Sequence, residues 1–231
     1  MRRARAVNKY DRTIRQALLD YEVGLSDREL TLLTLLSAFR TSAPKAALQV
    51  MLRTTADEIP LDPTLANLSA AEIGATMEEL SRIGWLWYDS TSESYAIHPL
   101  IRAHFLARRV VKAPEQLRAI HERIQHYYLS VSKDLPFRPS VKDLKPLAEA
   151  LHHACRAARY AEGYNIFVEC IYQGKRRVLV NELGAWEAAL AMLSEFFPDG
   201  DTSREQQLQD REAKVWALNE TRACSQRPRA F

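Results

Sequence analysis

The sequence predicts a mostly α fold that carries one short β-hairpin. Two capping boxes, Ser26-Asp27-Arg28-Glu29 and Ser69-Ala70-Ala71-Glu72, announce helix starts, because a serine oxygen takes an orphan N–H and the glutamate reaches back to the cap residue. Aromatic and β-branched runs of strand type occur at Trp85-Leu86-Trp87-Tyr88 and Tyr95-Ala96-Ile97, joined by polar Asp89 to Ser94. Only seven glycines occur in 231 residues, which disfavours β-sandwiches and glycine-rich phosphate loops.

Residues 1–20 carry Arg2, Arg3, Arg5, Lys9, Arg12 and Arg15, and read as a basic leader running into a helix that reaches Tyr21. After Ser26 a helix to about Phe39 is predicted, with Leu32, Leu33, Leu36 and Phe39 on one buried face. Thr41 or Ser42 caps the next helix, Pro44 sits in its first turn, and Val50 and Met51 point inward. Thr54 to Leu68, with Pro60 and Pro63, is a long connection. The helix from Ser69 buries Ile73, Met77 and Leu80 and ends at Gly84, suited to the left-handed position that closes a helix. The hairpin follows, and Pro99 then opens a helix whose inner face is Leu100, Ile101, Phe105 and Leu106, leaving His98 just outside it. Helix, ribbon, helix in this order is the pattern of a winged-helix module.

From Pro114, Leu117, Ile120, Ile124, Tyr127 and Val131 keep helical period until Leu135-Pro136-Phe137-Arg138-Pro139 stops them, the clearest break in the chain. The rest is wholly helical. Leu144, Leu147, Leu151, Cys155 and Ala158 make one stripe. Tyr160, Tyr164, Phe167 and Ile171 make a second, closed by Gly174, and Leu183, Leu190, Leu193 and Phe197 a third. Leu208, Val215, Trp216 and Leu218 belong to a final helix. Paired antiparallel helices with Tyr160-x-x-Gly163 suggest about one unit of a tetratricopeptide-like array. The organisation expected is a leader (1–20), a winged-helix domain (21–112), a helical bundle leading to repeats (113–220) and a tail (221–231).

Hydrophobic residues make up 47% of the chain, enough for one large or two small cores, and the net charge of +3 predicts neither nucleic-acid nor membrane-surface attachment. Cys155, Cys170 and Cys224 form no disulfide framework, which points to a reducing cytoplasm. No apolar run is long enough to span a bilayer.

No reactive constellation assembles in the sequence. Gly174-Lys175 lacks the first glycine of a phosphate loop, where Glu169 stands, and its Ser or Thr, where Arg176 stands. His121 and His126 are five residues apart, which turns the second ring about 140 degrees from the first and prevents a shared metal. His152, His153 and Cys155 read as polar and core positions on an amphipathic helix. The expectation is no catalysis and no metal. The helix Ala70 to Ile83 carries Glu72, Glu78 and Glu79 against Arg82, and the ribbon tip adds Asp89 and Glu93, a surface that repels phosphate where a DNA-binding module needs donors. Basic residues do gather at Arg102, Arg108, Arg109 and Lys112, a possible anion or nucleic-acid contact, and at Lys175-Arg176-Arg177. At a helix C-terminus such a run also complements the macrodipole. His98, held ahead of a helix by a rigid proline, offers an aimed N–H donor for a phosphate oxygen.

Leu25-Ser26-Asp27-Arg28-Glu29-Leu30-Thr31-Leu32-Leu33, Leu80-Ser81-Arg82-Ile83-Gly84-Trp85-Leu86 and Tyr95-Ala96-Ile97-His98-Pro99-Leu100-Ile101-Arg102 resemble the winged-helix domain of STAND nucleotide-binding regulators of the NB-ARC and NACHT type. Ala157-Ala158-Arg159-Tyr160, Ile171-Tyr172-Gln173-Gly174 and Leu183-Gly184-Ala185-Trp186 resemble the helical segment that leads to tetratricopeptide repeats in bacterial members. The likeness spans roughly residues 15–220. It implies that Ile97-His98-Pro99 stands at the family's Met-His-Asp motif, whose histidine touches the β-phosphate of ADP; Pro99 replaces the acid. It implies further that ADP or ATP is bound by an NTPase domain of a parent or partner chain, whose Walker segments would precede residue 1, and that a protein ligand meets the helical repeats. Two other readings compete: a winged-helix transcription regulator that binds DNA, and a stand-alone helical interaction scaffold.

Overall fold

A computed structural model describes residues 16, 19, 20, 22–52, 63–66 and 68–226, with the backbone alone for residues 63, 66 and 108–112. Most of the predicted leader helix, the greater part of the Thr54–Leu68 connection and the tail from Arg227 lie outside the described residues. The chain is mostly helical, with one small three-stranded antiparallel sheet, and divides into two compact units, residues 1–120 and 121–231. The helix Pro114–Ser130 spans the division.

In the first unit, helix α1 (Asp27–Ser37) starts at the Ser26 capping box, where Glu29 N–H donates to Ser26 Oγ and Ser26 N–H to the Glu29 carboxylate. Leu32, Leu33, Leu35 and Leu36 are all at most 2% exposed, so α1 is buried all round from Leu32 onward, beyond the single face expected. Thr34 joins that core only because its hydroxyl donates to Leu30 C=O at 2.7 Å. Strand β1 (Ala43–Pro44) follows, then α2 (Lys45–Leu52), α3 (Pro63–Ala66) and α4 (Ala70–Arg82), and the hairpin of β2 (Leu86–Asp89) and β3 (Ser94–Ile97). The sheet order is β1-β3-β2, with Ala43 opposite Tyr95 and Leu86 opposite Ile97.

Pro44 was expected in the first turn of a helix and instead forms β1. An edge strand tolerates a residue without an N–H, and Lys45 N–H continues the pairing to Glu93 C=O at 2.9 Å. Val50, expected inward, is exposed, while Met51 is buried. The second capping box at Ser69 is present, Met77 and Leu80 are buried, and Gly84 takes φ +80° as Trp85 N–H returns to Leu80 C=O. Helix α5 (Pro99–Lys112) packs on α1 and sets Phe105 against Trp85, ring centroids 6.0 Å apart, edge to face. Leu100, expected on the inner face of α5, is exposed instead, since it lies in the first turn beside the ribbon. Helix α6 (Pro114–Ser130) buries Leu117, Ile120 and Ile124; Tyr128 fills the inward position expected for Val131, which is exposed one turn past the last buried row.

The second unit is built on α7 (Lys145–Arg156), in which every residue from Leu147 to Cys155 is buried. Neighbours close on several sides of it: α8 (Tyr160–Asn165), a π-helical segment (Ile166–Ile171) and α9 (Trp186–Ser194). Ala158, expected in the α7 stripe, is exposed at φ +61° because it is the left-handed residue that ends the helix. The Tyr160-x-x-Gly163 element has a packing reason: a Cβ on Gly163 would stand 3.1 Å from Cys155 Sγ, so the glycine lets α8 approach α7 closely there. A second π segment (Val178–Glu182) follows left-handed Gln173, Gly174 and Arg177. Helix α10 (Arg211–Ser225), capped by Asp210, packs on α9; Leu208 precedes it, buried, and Val215 is exposed.

Candidate functional site

The junction between ribbon and α5 is the first candidate. His98 is the residue outside the helix, and its exposed ring serves as the cap: Leu100 N–H donates to Nδ1 at 3.2 Å, and Arg102 N–H closes the first helical bond on His98 C=O at 3.0 Å. Pro99 has no N–H to satisfy, so the amide of Ile101 is the remaining donor of that turn. An Nδ1 that accepts places the proton of the neutral imidazole on Nε2, which leaves that N–H as the donor available to another molecule. In the antiparallel register Trp87 lies opposite Ala96, and His98, two residues on, shares that face; the two rings are 6.4 Å apart. Trp87 is 51% exposed and Leu100 45% exposed, so the imidazole sits within an apolar surface. The period-two pairing of the hairpin was the signal that could have placed Trp87 beside His98.

Arg102 does not join His98 on a ligand. Its Nη1 and Nη2 donate to the carbonyls of Arg40 and Thr41 at 2.5 and 2.9 Å, which ties α5 to the turn between α1 and β1. The guanidinium is employed within the fold, and burial holds its pKa below the ordinary value. Arg108 and Arg109 lie on α5, but their side chains are outside the described set.

Helix α4 and the ribbon tip carry ionised carboxylates. Glu72 is held below the usual carboxylate range by hydrogen bonds from Ser69, and Glu79 by Arg82, its ion-pair partner. At the ribbon tip Asp89 receives Ser92 Oγ and Thr91 N–H, at 2.6 and 2.9 Å, and is lowered likewise.

The second candidate is the polar layer buried in the second unit. His121 Nδ1 and His153 Nδ1 are hydrogen-bonded at 2.8 Å, so one ring donates and the other accepts, and Tyr128 stacks on His153 at 6.0 Å. Burial, with lesser contributions from His152 and Arg156, pushes His121 down to about 3. His152 Nδ1 meets Glu195 at 2.8 Å. Periodicity places His121 and His126 on different faces, as the structure has them: His126 is exposed. Among the described residues no three His, Cys, Asp or Glu side chains gather to hold a metal ion. Burial raises the thiols of Cys155, Cys170 and Cys224, which suppresses the thiolate needed for nucleophilic chemistry. Comparison with protein-family models, with curated proteins and with solved structures finds no match.

Proposed function

We propose that the chain is the non-catalytic regulatory and scaffold module of a STAND-type signalling NTPase, in which a winged helix senses bound nucleotide through His98 and the helical unit, of tetratricopeptide-like type, mediates protein–protein interaction. The observation that carries this reading is the capped but exposed imidazole, which keeps Nε2 free to donate to a phosphate held by an NTPase domain on a parent or partner chain. The succession helix, strand, three helices, two strands and helix, with sheet order β1-β3-β2, supports the winged-helix part. Inward-turned histidines and raised thiols support a non-catalytic role, and the acidic α4 and ribbon tip favour a protein partner over DNA. Regulation then follows from differential contacts. A bond from His98 to ADP that exists only in the closed state shifts the population toward that state, and a ligand of the helical unit opposes it.

The test compares His98→Ala and His98→Asp in the NTPase-bearing protein. Aspartate keeps a good helix cap but sets a negative charge against phosphate. Both variants are expected to co-purify with less ADP than the parent, the Asp variant with intact thermal stability. Unchanged ADP occupancy in both would leave only a stand-alone helical scaffold.

A further inference from the structure

The second unit holds an open cleft of about 550 Å³ between the first turns of α8 and α10, a volume within the range of specific ligand sites. On one wall Tyr160 and Tyr164 stand one helical turn apart on α8, and both line the cleft. The opposite wall is the segment Gln207–Asp210, pinned by Gln207 N–H to Phe196 C=O at 2.8 Å and floored by buried Leu208. That wall ends in Asp210. Its Oδ1 accepts Ala213 N–H at 2.7 Å, while Oδ2 has no protein donor among the described residues.

Charge decides what the cleft attracts. Glu162 is already engaged, one oxygen by Gln125 Nε2 at 2.9 Å and the other by Arg159, so these two charges offset each other. Asp210 is left as the uncompensated group. Glu169 and Glu212 add to its field at Tyr164, whose phenol is raised by burial first and then by these three carboxylates. The positive end of α10 opposes a cation here, but it amounts to about half a unit charge against the full charge of the carboxylate. Aromatic side chains that share a cleft with a carboxylate favour an ammonium or guanidinium group.

We propose that this cleft binds a peptide segment through an arginine or lysine side chain, which rests between the Tyr160–Tyr164 wall and Asp210 Oδ2. Asn165, Gln207 and Gln209 stand among the lining residues, and each carboxamide both donates and accepts, as a peptide main chain requires. A free amine would leave those groups unused. The inference rests on reading the helical unit as the part that meets a protein ligand, and takes nothing from His98.

The test is amide chemical-shift mapping of the full chain titrated with capped heptapeptide pools whose central residue is fixed as arginine, lysine or glutamate, and with spermidine. Arginine and lysine pools are expected to shift residues 159–165 and 207–213, and the glutamate pool to leave them in place. Asp210→Asn, which preserves a helix cap, should weaken binding about fivefold. Tyr164→Leu should weaken it about threefold to fivefold, whereas Tyr164→Phe, which keeps the ring, should not. The site is refuted by equal shifts from the glutamate pool, or by full affinity in both Asp210→Asn and Tyr164→Leu. Spermidine binding as tightly as the peptides would overturn the peptide assignment in favour of small amines. No nucleotide enters the assay, so its failure and the failure of ADP retention are separate results.

Discussion

At the scale of single residues, His98 just ahead of α5 and Arg102 one turn on serve different parts of the fold. His98 satisfies its own helix and keeps a donor in solvent; Arg102 gives two donors to the carbonyls of Arg40 and Thr41 in the turn between α1 and β1. Charge-assisted hydrogen bonds contribute more than neutral ones, so Arg102→Ala is expected to destabilise the first unit by about 1.5–3 kcal/mol in chemical denaturation. Loss of the His98 cap should cost about 0.5–2 kcal/mol, the ordinary range for caps. Equal, negligible effects from the two variants would contradict the clamp assigned to Arg102. The difference between these residues also marks what the sequence can convey. His98 was legible because its neighbours Ile97 and Pro99 define a strand end and a helix start, both local signals. Arg102 was not, because its acceptors are backbone atoms of Arg40 and Thr41, remote in sequence and identical in kind at every position.

Among the elements, those with local chemistry at their ends were readable: both capping boxes, the Gly84 stop and the aromatic hairpin stand where the residues place them. Strand β1 was missed because two residues carry no period, and Pro44 is equally suited to a first helical turn and to a sheet edge. The π segments were missed for a related reason, since one extra residue per turn leaves no compositional mark. Gly84 gives the element scale its test. No atom lies within 4 Å of a Cβ built there, so alanine would meet no clash and only the cost of φ +80°. Gly84→Ala should therefore lower stability by about 1–2 kcal/mol, seen as a lower melting temperature of the first unit. An unchanged melt would mean that the turn from α4 into β2 relaxes to negative φ.

For the molecule as a whole, the polar interior of the second unit escaped a reading based on amphipathic stripes, because a stripe presumes one dry face and one wet face. Helix α7 has no wet face between Leu147 and Cys155, so Glu149, His152 and His153 are carried into the interior, where His153 is matched with His121 and His152 with Glu195. That arrangement makes stability depend on acidity in one direction. His121 has an ordinary pKa of 6.5 and is pushed down to about 3 in the fold. Between those values the unfolded chain binds the proton and the folded chain does not, so unfolding becomes easier as pH falls. The contribution is fully present above about pH 6.5 and is lost progressively toward about pH 3. Its size is on the order of a few kcal/mol, enough to consume much of a domain's margin. Hydrogen exchange should therefore show α7 losing protection between pH 7 and pH 4.5 faster than α1, which carries no histidine. Replacing His121 with glutamine, which retains a hydrogen-bonding group for His153 but does not titrate, should flatten the dependence in the second unit. A pH profile for that variant as steep as the parent's would show that the proton is taken up elsewhere.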